Sequence, residues 1–356
     1  MDIYVLNENL EIVDPVDGCE SIIWASRFFE HGDFELYLPC SKENLVRYAP
    51  DRYLMRWDSP TTMIIEKTEI EATEEDGEKL IVSGRCLKSL LMRRVVWDQT
   101  TFTNKTVEYI IRSLITKNII SPSESSRKIN NFVLADEVGF NDVVQNAQYT
   151  GDNLYDVVVE LCKTYGYGWD INLIDGKFVF QLFKGVDRSY EQDVNPRVIF
   201  SDDFENLITS KYSKDTMTYK NVARVAGEGE GLNRTIYNVG SVSGIKRREL
   251  WVDANDLTST TKDENDQDVT LTTAQYKETL INRGKEKLSE NVSTESFEGT
   301  VETLEQYSFP EDFDLGDRVS VSNEYGIKAS PQIIEIIENE DDSGYSVNPT
   351  FSTWEV

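Results

Sequence analysis

Histidine is almost absent. His31 is the only one in 356 residues. A triad or dyad needs a base held by an orienting carboxylate beside a nucleophile. His31 reads as part of a turn, His31-Gly32-Asp33, with no nucleophile motif near it, so no catalytic role is expected of it. Cysteine is scarce too. Cys19, Cys40, Cys86 and Cys162 form no C-x-x-C pair. They read as reduced, mostly buried thiols of a chain folded in cytosol, with neither a zinc nor a redox motif. No run of about 18 apolar residues exists, so no membrane-spanning helix or membrane anchor is expected. The opening MDIYVLNENL places acids where a secretory leader has bases, so no signal peptide is expected. Positive charge is also short: 36 basic residues face 64 acidic ones, a net charge of −28. Such an exterior repels phosphate backbones.

What is present is a globular composition, 39% hydrophobic and 11% aromatic, in a chain long enough for several cores. The first hundred residues read as β. MDIYVLN and LEIVD flank the polar turn Asn7-Glu8-Asn9. SIIWASRFFEHGDFELYLP gives two strands, with Phe34, Leu36 and Leu38 alternating inward. TMIIEKTEIEATEEDGEKLIVSGR is a hairpin about Asp76-Gly77. This density of strands suggests a barrel or a strongly bent sheet. The middle changes period. Val107, Ile110, Ile111, Leu114 and Ile115 mark one helix face, with Thr103 or Asn104 as N-cap. Leu154, Val157, Val158, Leu161 and Cys162 mark a second, between Asp152 and Gly166. WDINLIDGKFVFQL then forms a hairpin about Asp175-Gly176. From Pro196 the chain returns to β. The polar stretch DANDLTSTTKDENDQDVTLTT reads as loop. Thr272-x-x-Gln275 reads as a capping box opening a helix to about Val292, with Tyr276, Leu280 and Leu288 as its sparse apolar stripe.

The expected fold is therefore α+β, β-rich and multidomain. A first barrel-like β domain spans 1–96 and an α+β module 97–195. A second barrel-like β domain takes 196–240 and 296–356, and a peripheral segment is inserted at 241–295.

Motifs for chemistry fail one by one. GSVSG, 240–244, has Val242 where a nucleophile elbow needs serine. GEGEG, with Gly227, Gly229 and Gly231, puts Glu228 and Glu230 where an anion needs bare N–H groups, so it reads as a turn. DENDQD, 263–268, lacks the glycine and glutamate of an EF-hand loop, leaving at most a weak surface calcium site. DFDLGDRVSV, 312–321, poses the sharpest question: Asp312, Asp314 and Asp317 could be metal ligands or a turn feeding a strand. The turn is the simpler reading, with Asp317 on turn amides and Val319 and Val321 toward the core. No catalytic, cofactor-binding or metal residue is assigned, and no cofactor is expected.

The same stretch, DFDLGDRVSV, resembles the D-x-x-L-G-D-x-V turn near the end of hub proteins from the tails of long-tailed phages of Gram-positive bacteria. WASRFFEHGDFELYLP (24–39), VSGRCLKSLLMRRVVW (82–97), YKNVARVAGEGEGLNR (219–234), RRELWVDANDL (247–257) and GYSVNPTF (344–351) are similar to further signatures of that family, in the same order. The family is the hub part of the tail-associated lysins and is similar in fold to contractile-tail baseplate hubs and VgrG. The resemblance implies a homotrimer in which each copy gives two barrel-like domains to a ring of six continuing the tail tube. It implies the distal tail protein and the tape-measure protein as partners, with a receptor-binding or lytic tip component as a further one. Phage DNA would pass through without specific binding. It also implies a place at the virion tail tip, after assembly in the bacterial cytoplasm. Relatives with wall-degrading activity carry a C-terminal extension, and this sequence ends at Val356, so a structural, non-enzymatic hub role is expected. The rival readings are a cell-wall hydrolase and a receptor- or carbohydrate-binding tail protein, the latter suggested by 17 Tyr and 6 Trp.

Overall fold

The computed structural model describes residues 1–73, 77–262, 268–301, 306–326 and 328–352. The opening strands form where period-2 alternation is clearest: β1 (Ile3–Leu6), β2 (Ile12–Pro15), β3 (Ser21–Arg27), β4 (Asp33–Pro39), β5 (Tyr53–Arg56), β6 (Met63–Thr73) and β7 (Gly77–Cys86). Asn7 Oδ1 accepts the Asn9 and Glu11 amides and fixes the β1–β2 turn. The β6–β7 turn contains Asp76, which lies outside the described residues, and Gly77 has φ 76°. A short helix that the sequence reading passed over, α1 (Lys42–Arg47), is capped by the Ser41 hydroxyl on the Asn44 amide.

These strands do not close on themselves. One antiparallel sheet of eleven runs Leu207–Asp215, Thr294–Val301, Gly344–Phe351, Ile333–Asp341, β3, β4, β7, β6, β5, β1, β2. Among the described residues no sheet closes into a barrel, so the two expected barrels are instead two curled halves of one sheet. The reason is the seam. Barrel closure would need the outer edge of β3 for β1 or β2, and that edge pairs with Ile333–Asp341 from Glu335↔Arg27 to Glu340↔Ile22. Each half wraps its own core. Trp24, Leu36, Leu54 and Val82 are fully buried in the first, and Phe200, Phe313, Val319 and Phe351 in the second. Across the second core lies a small sheet of Ile199–Ser201, Ser320–Ser322 and Lys328–Ala329.

Helix α2 (Val107–Ile115) buries the five apolar positions expected of it, but its N-cap is Thr106, whose hydroxyl accepts the Tyr109 amide. Thr103 and Asn104 sit in the preceding strand, Thr100–Thr106. The strand Val143–Tyr149 pairs with that one, Asn146 opposite Thr103, and Asn104 stands between paired residues with φ 51°. Helix α3 (Leu154–Tyr165) is capped by Asn153 and ends on Gly166 in the left-handed region. These helices share a core with the Gly168–Ile174/Lys177–Phe183 hairpin.

Helix α4 (Thr273–Ser289) starts with the capping box read from the sequence: Thr272 and Gln275 each accept the other's amide. Tyr276 and Leu280 are buried against Ala223, Val225 and Val252. Val222–Ala226 and Ile236–Val239, read from the sequence as part of the second β unit, thus pack with α4 and Glu249–Asp253 instead. The stretch read as loop contains a small hairpin, Thr260–Lys262 with Asp268–Thr270, and residues 263–267 of DENDQD lie outside the described residues.

Phe28 links three parts of the molecule. It follows β3, is fully buried, and stacks edge-on against Phe29 and Phe183, with centroids at 4.8 and 5.4 Å. A Cβ on Gly316 would lie 2.3 Å from its ring, and one on Gly168 likewise 2.3 Å. Gly316 also has φ +87°. We therefore expect Gly316→Ala to lower stability by about 3 kcal/mol or more, from strain plus overpacking. Gly176→Ala, with positive φ but open space around it, should lose only about 1 kcal/mol. Guanidinium unfolding of the two variants checks the difference.

The face between α3 and α4 is polar. Glu286 is buried and pushed up to about 7, chiefly by burial, with Arg283 and Lys287 opposing and Asp152 and Glu290 adding to the shift. Glu160, on α3, is pushed up to about 8 by burial and by Glu290, although Lys287 Nζ lies 2.8 Å away. Acids with raised folded-state values hold protons that the unfolded chain has released. Stability therefore falls as pH climbs from the ordinary carboxylate range through 7 and 8. Tm should be about 2–4 °C higher at pH 6 than at pH 8.5, and Glu286→Gln should flatten that slope in a calorimetric pH series.

Candidate assembly edges and the interlobe cleft

An open sheet has two edges, and unpaired edges seek partners. At one end is β2, with Ile12 49% and Val13 44% exposed. At the other is Leu207–Asp215, with Ile208 60% exposed. Their charges differ. The chain around β2 carries Glu8, Glu11, Asp14 and Asp17 with no base between them, and Arg47 reaches Asp14 from α1 at 3.3 Å. The far edge strand carries Lys211 and Lys214 against Asp215.

A second feature is a cleft of about 500 Å³ where both lobes meet the α+β module. Its floor is a buried ion pair. Arg56, on β5, donates to both oxygens of Glu338 at 2.8 and 2.9 Å, and both side chains are nearly inaccessible. Arg56 also makes two 2.9 Å bonds to Asp58. Burial works against its charge, but the hydrogen bonds from Asp58 and Glu338 outweigh it and raise its pKa. Tyr345 Oη donates to Glu338 at 2.7 Å. The pair ties β5, which shares no backbone ladder with Ile333–Asp341, to that seam strand. The N-terminal ammonium does the same nearby, on Glu340. Sequence reading missed Arg56 and Glu338. The available signal was a charge at an inward register: Arg56 follows buried Leu54 by two, and Glu338 follows buried Ile336 by two.

The residues that sequence reading weighed are placed as follows. His31 is half-buried, its Nδ1 3.3 Å from the Gly32 carbonyl and its ring beside Tyr155. Burial lowers its pKa, and Arg85 and Arg27 add to that. Cys86 and Cys162 are buried, Cys40 is half-buried and Cys19 is exposed, so only two fit the buried reading. Burial pushes Cys86 up to about 11, and its sulfur accepts the Gly32 amide. Asp317 is 3% exposed and accepts the Val186 amide, the Arg188 Nε and the Asp314 amide at 2.7, 2.7 and 3.1 Å. Asp312 accepts the Ser308 amide. Val319 and Val321 are buried. This stretch is a turn that clamps the 185–188 segment. In GEGEG, Glu228 accepts the Ser259 amide. Among the described residues no three His, Cys, Asp or Glu side chains are grouped to hold a metal.

Breaking the buried pair from one side should strand a charge. Arg56→Met is expected to cost about 3–5 kcal/mol, whereas Arg56→Met with Glu338→Met should recover most of it. A double-mutant cycle by denaturant unfolding measures this.

Residues 2–352 match the family model described as Siphovirus ReqiPepy6 Gp37-like protein. Among solved structures the chain is similar to the tail protein from Neisseria meningitidis MC58, with 15% identity, TM-score 0.58, and 99% of this chain and 96% of that one covered. It is likewise similar to the 43 kDa tail protein of prophage MuSo2 from Shewanella oneidensis, with 14% identity, TM-score 0.58, and coverage of 99% and 98%. Prophage tail protein gp18 from Listeria monocytogenes EGD-e gives 13%, 0.55, 99% and 95%. No curated protein matches the sequence. At these identities the likeness is one of fold.

Proposed function

We propose that this chain, which belongs to the Siphovirus ReqiPepy6 Gp37-like protein family, is a structural hub of a phage tail. Three copies form a ring that continues the tail tube. The observation that carries this is the open eleven-stranded sheet. Two curled lobes stand side by side in each copy, so three copies supply six. The two free edges differ in charge and both expose apolar side chains, which suits head-to-tail contact between copies. A heterologous contact of that kind closes into a ring when its rotation allows. Interfaces of permanent rings bury about 2,000 Å² or more. The 97–195 and inserted units decorate the outside.

Its role is assembly and passage rather than catalysis. Distal tail protein sits on one face of the ring, and tape-measure protein and then DNA pass through it. The net charge of −28 supports an acidic channel wall, along which DNA slides without sticking. The ring sits at the tail tip and is assembled in the host cytoplasm.

Light scattering on the purified chain should give three times the chain mass. Ile208→Glu, which places acid on the edge meant to meet the acidic β2 edge, should yield a folded monomer. A wild-type monomer at every concentration, or an unaffected trimer in the variant, counts against this reading.

A further inference from the structure

The interlobe cleft has features that a ring contact does not use. Asn172, on Gly168–Ile174, lines it at 4% exposed, and its Oδ1 has no hydrogen-bond partner. An unbonded buried amide oxygen costs about 1–3 kcal/mol, so a fold keeps one where something else supplies the donor. Asp170 lies two positions earlier on the same strand face, also in the cleft wall. It accepts the adjoining Ile171 amide, and burial pushes its pKa up, with Lys88 opposing. Asp314 lies in the cleft wall too and accepts the Leu315 amide. It keeps solvent contact along the opening, yet the protein crowded around it, with Asp317 and Asp170, pushes it up to about 6. Among the described residues neither Asp170 nor Asp314 has an ion pair. Arg56, the cleft's one guanidinium, is bound on both sides by Asp58 and Glu338. Among the described residues the cleft wall therefore holds several acids and no cation besides that bonded arginine.

The rest of its wall mixes apolar side chains, Phe183, Phe309 and Leu315 among them, with the neutral polar Ser26, Ser59, Thr61 and Gln181 and a further acid, Glu311. A bare divalent ion is a poor match. Calcium takes six to eight oxygens, and no three carboxylates are grouped for a metal among the described residues. Nucleic acid is repelled. An arginine head fits the chemistry. Its planar fork offers five donors, enough for an amide oxygen and two carboxylates together. Its carbon stem and a neighbouring apolar side chain can lie on Phe183, Phe309 and Leu315.

We propose that this cleft is a docking site for an extended segment of another protein, one that inserts an arginine flanked by an apolar residue between Asp170, Asn172 and Asp314. The charge of the cleft selects the partner, and the site is distinct from the sheet edges that join copies of this chain.

The experiment titrates a fluorescein-labelled Gly-Leu-Arg-Leu-Gly amide into the full chain by polarisation, beside the same peptide with citrulline in place of arginine. Citrulline keeps the shape and removes the charge. The arginine peptide should bind at least tenfold tighter. That preference should disappear in Asp170→Asn with Asp314→Asn, whose Tm at pH 8 should be equal to or above wild type because a crowded charge has been removed. Equal binding of the two peptides, no binding of either, or an arginine preference unchanged in the double variant overturns the proposal. So does displacement of the peptide by calcium chloride together with a calcium-dependent rise in Tm that the double variant loses, since the cleft is then a cation site. None of these readings depends on the mass of the assembly.

Discussion

The structure depends on one backbone pairing. β3 lays its outer edge against Ile333–Asp341, more than 300 residues later, and the Phe28 amide extends the ladder to the Ile334 carbonyl at 2.9 Å. Backbone groups of a buried strand must find partners. Each half could have met that need by closing on itself. Both meet it through the other half. Cooperative strand pairing thus welds the two lobes into one sheet, and the two outermost strands are left as free edges.

The seam sets the position of nearly everything else. It delivers Glu338 to Arg56, so a buried charge from each lobe is neutralised by the other. A buried pair of this kind adds little net stability over apolar packing, but separating its members is costly, so it favours one relative placement of the lobes. The seam also carries Phe28 to the spot where Gly316 leaves the DFDLGD turn and Gly168 begins its strand. Three units meet there with no room for a methyl group. The interlobe cleft lies alongside, walled by all three units. Its excess of negative charge follows from that geometry, because carboxylates arriving from separate units meet beside one arginine already bonded to Asp58 and Glu338.

The periphery obeys a different economy. The α3–α4 face is lined by Glu160, Glu286, Arg283 and Lys287, with the Gln148 amide and the Tyr149 hydroxyl lacking partners beside it. Polar contacts of this sort resemble those between separable domains, whereas the seam is a continuous ladder.

Local rules alone determined much. Alternation in DFELYLP settled which face of β4 is buried, and the 3.6-residue stripes located α2 and α3. Thr272 and Gln275 announced the start of α4. These succeed because each is decided by neighbours within four residues. The same logic misplaces the N-cap of α2, since Thr103 and Asn104 have cap chemistry but lie in a strand, Thr100–Thr106, that pairs with the distant Val143–Tyr149. Barrel closure, the Arg56–Glu338 pair, the Phe28 junction and the Asn172 cleft were beyond local reading. Each joins residues more than a hundred positions apart, and no local preference encodes which edge a strand will choose. Only the tertiary structure decided that, because an edge strand's free N–H and C=O groups are satisfied equally well by any partner the rest of the fold can bring within reach.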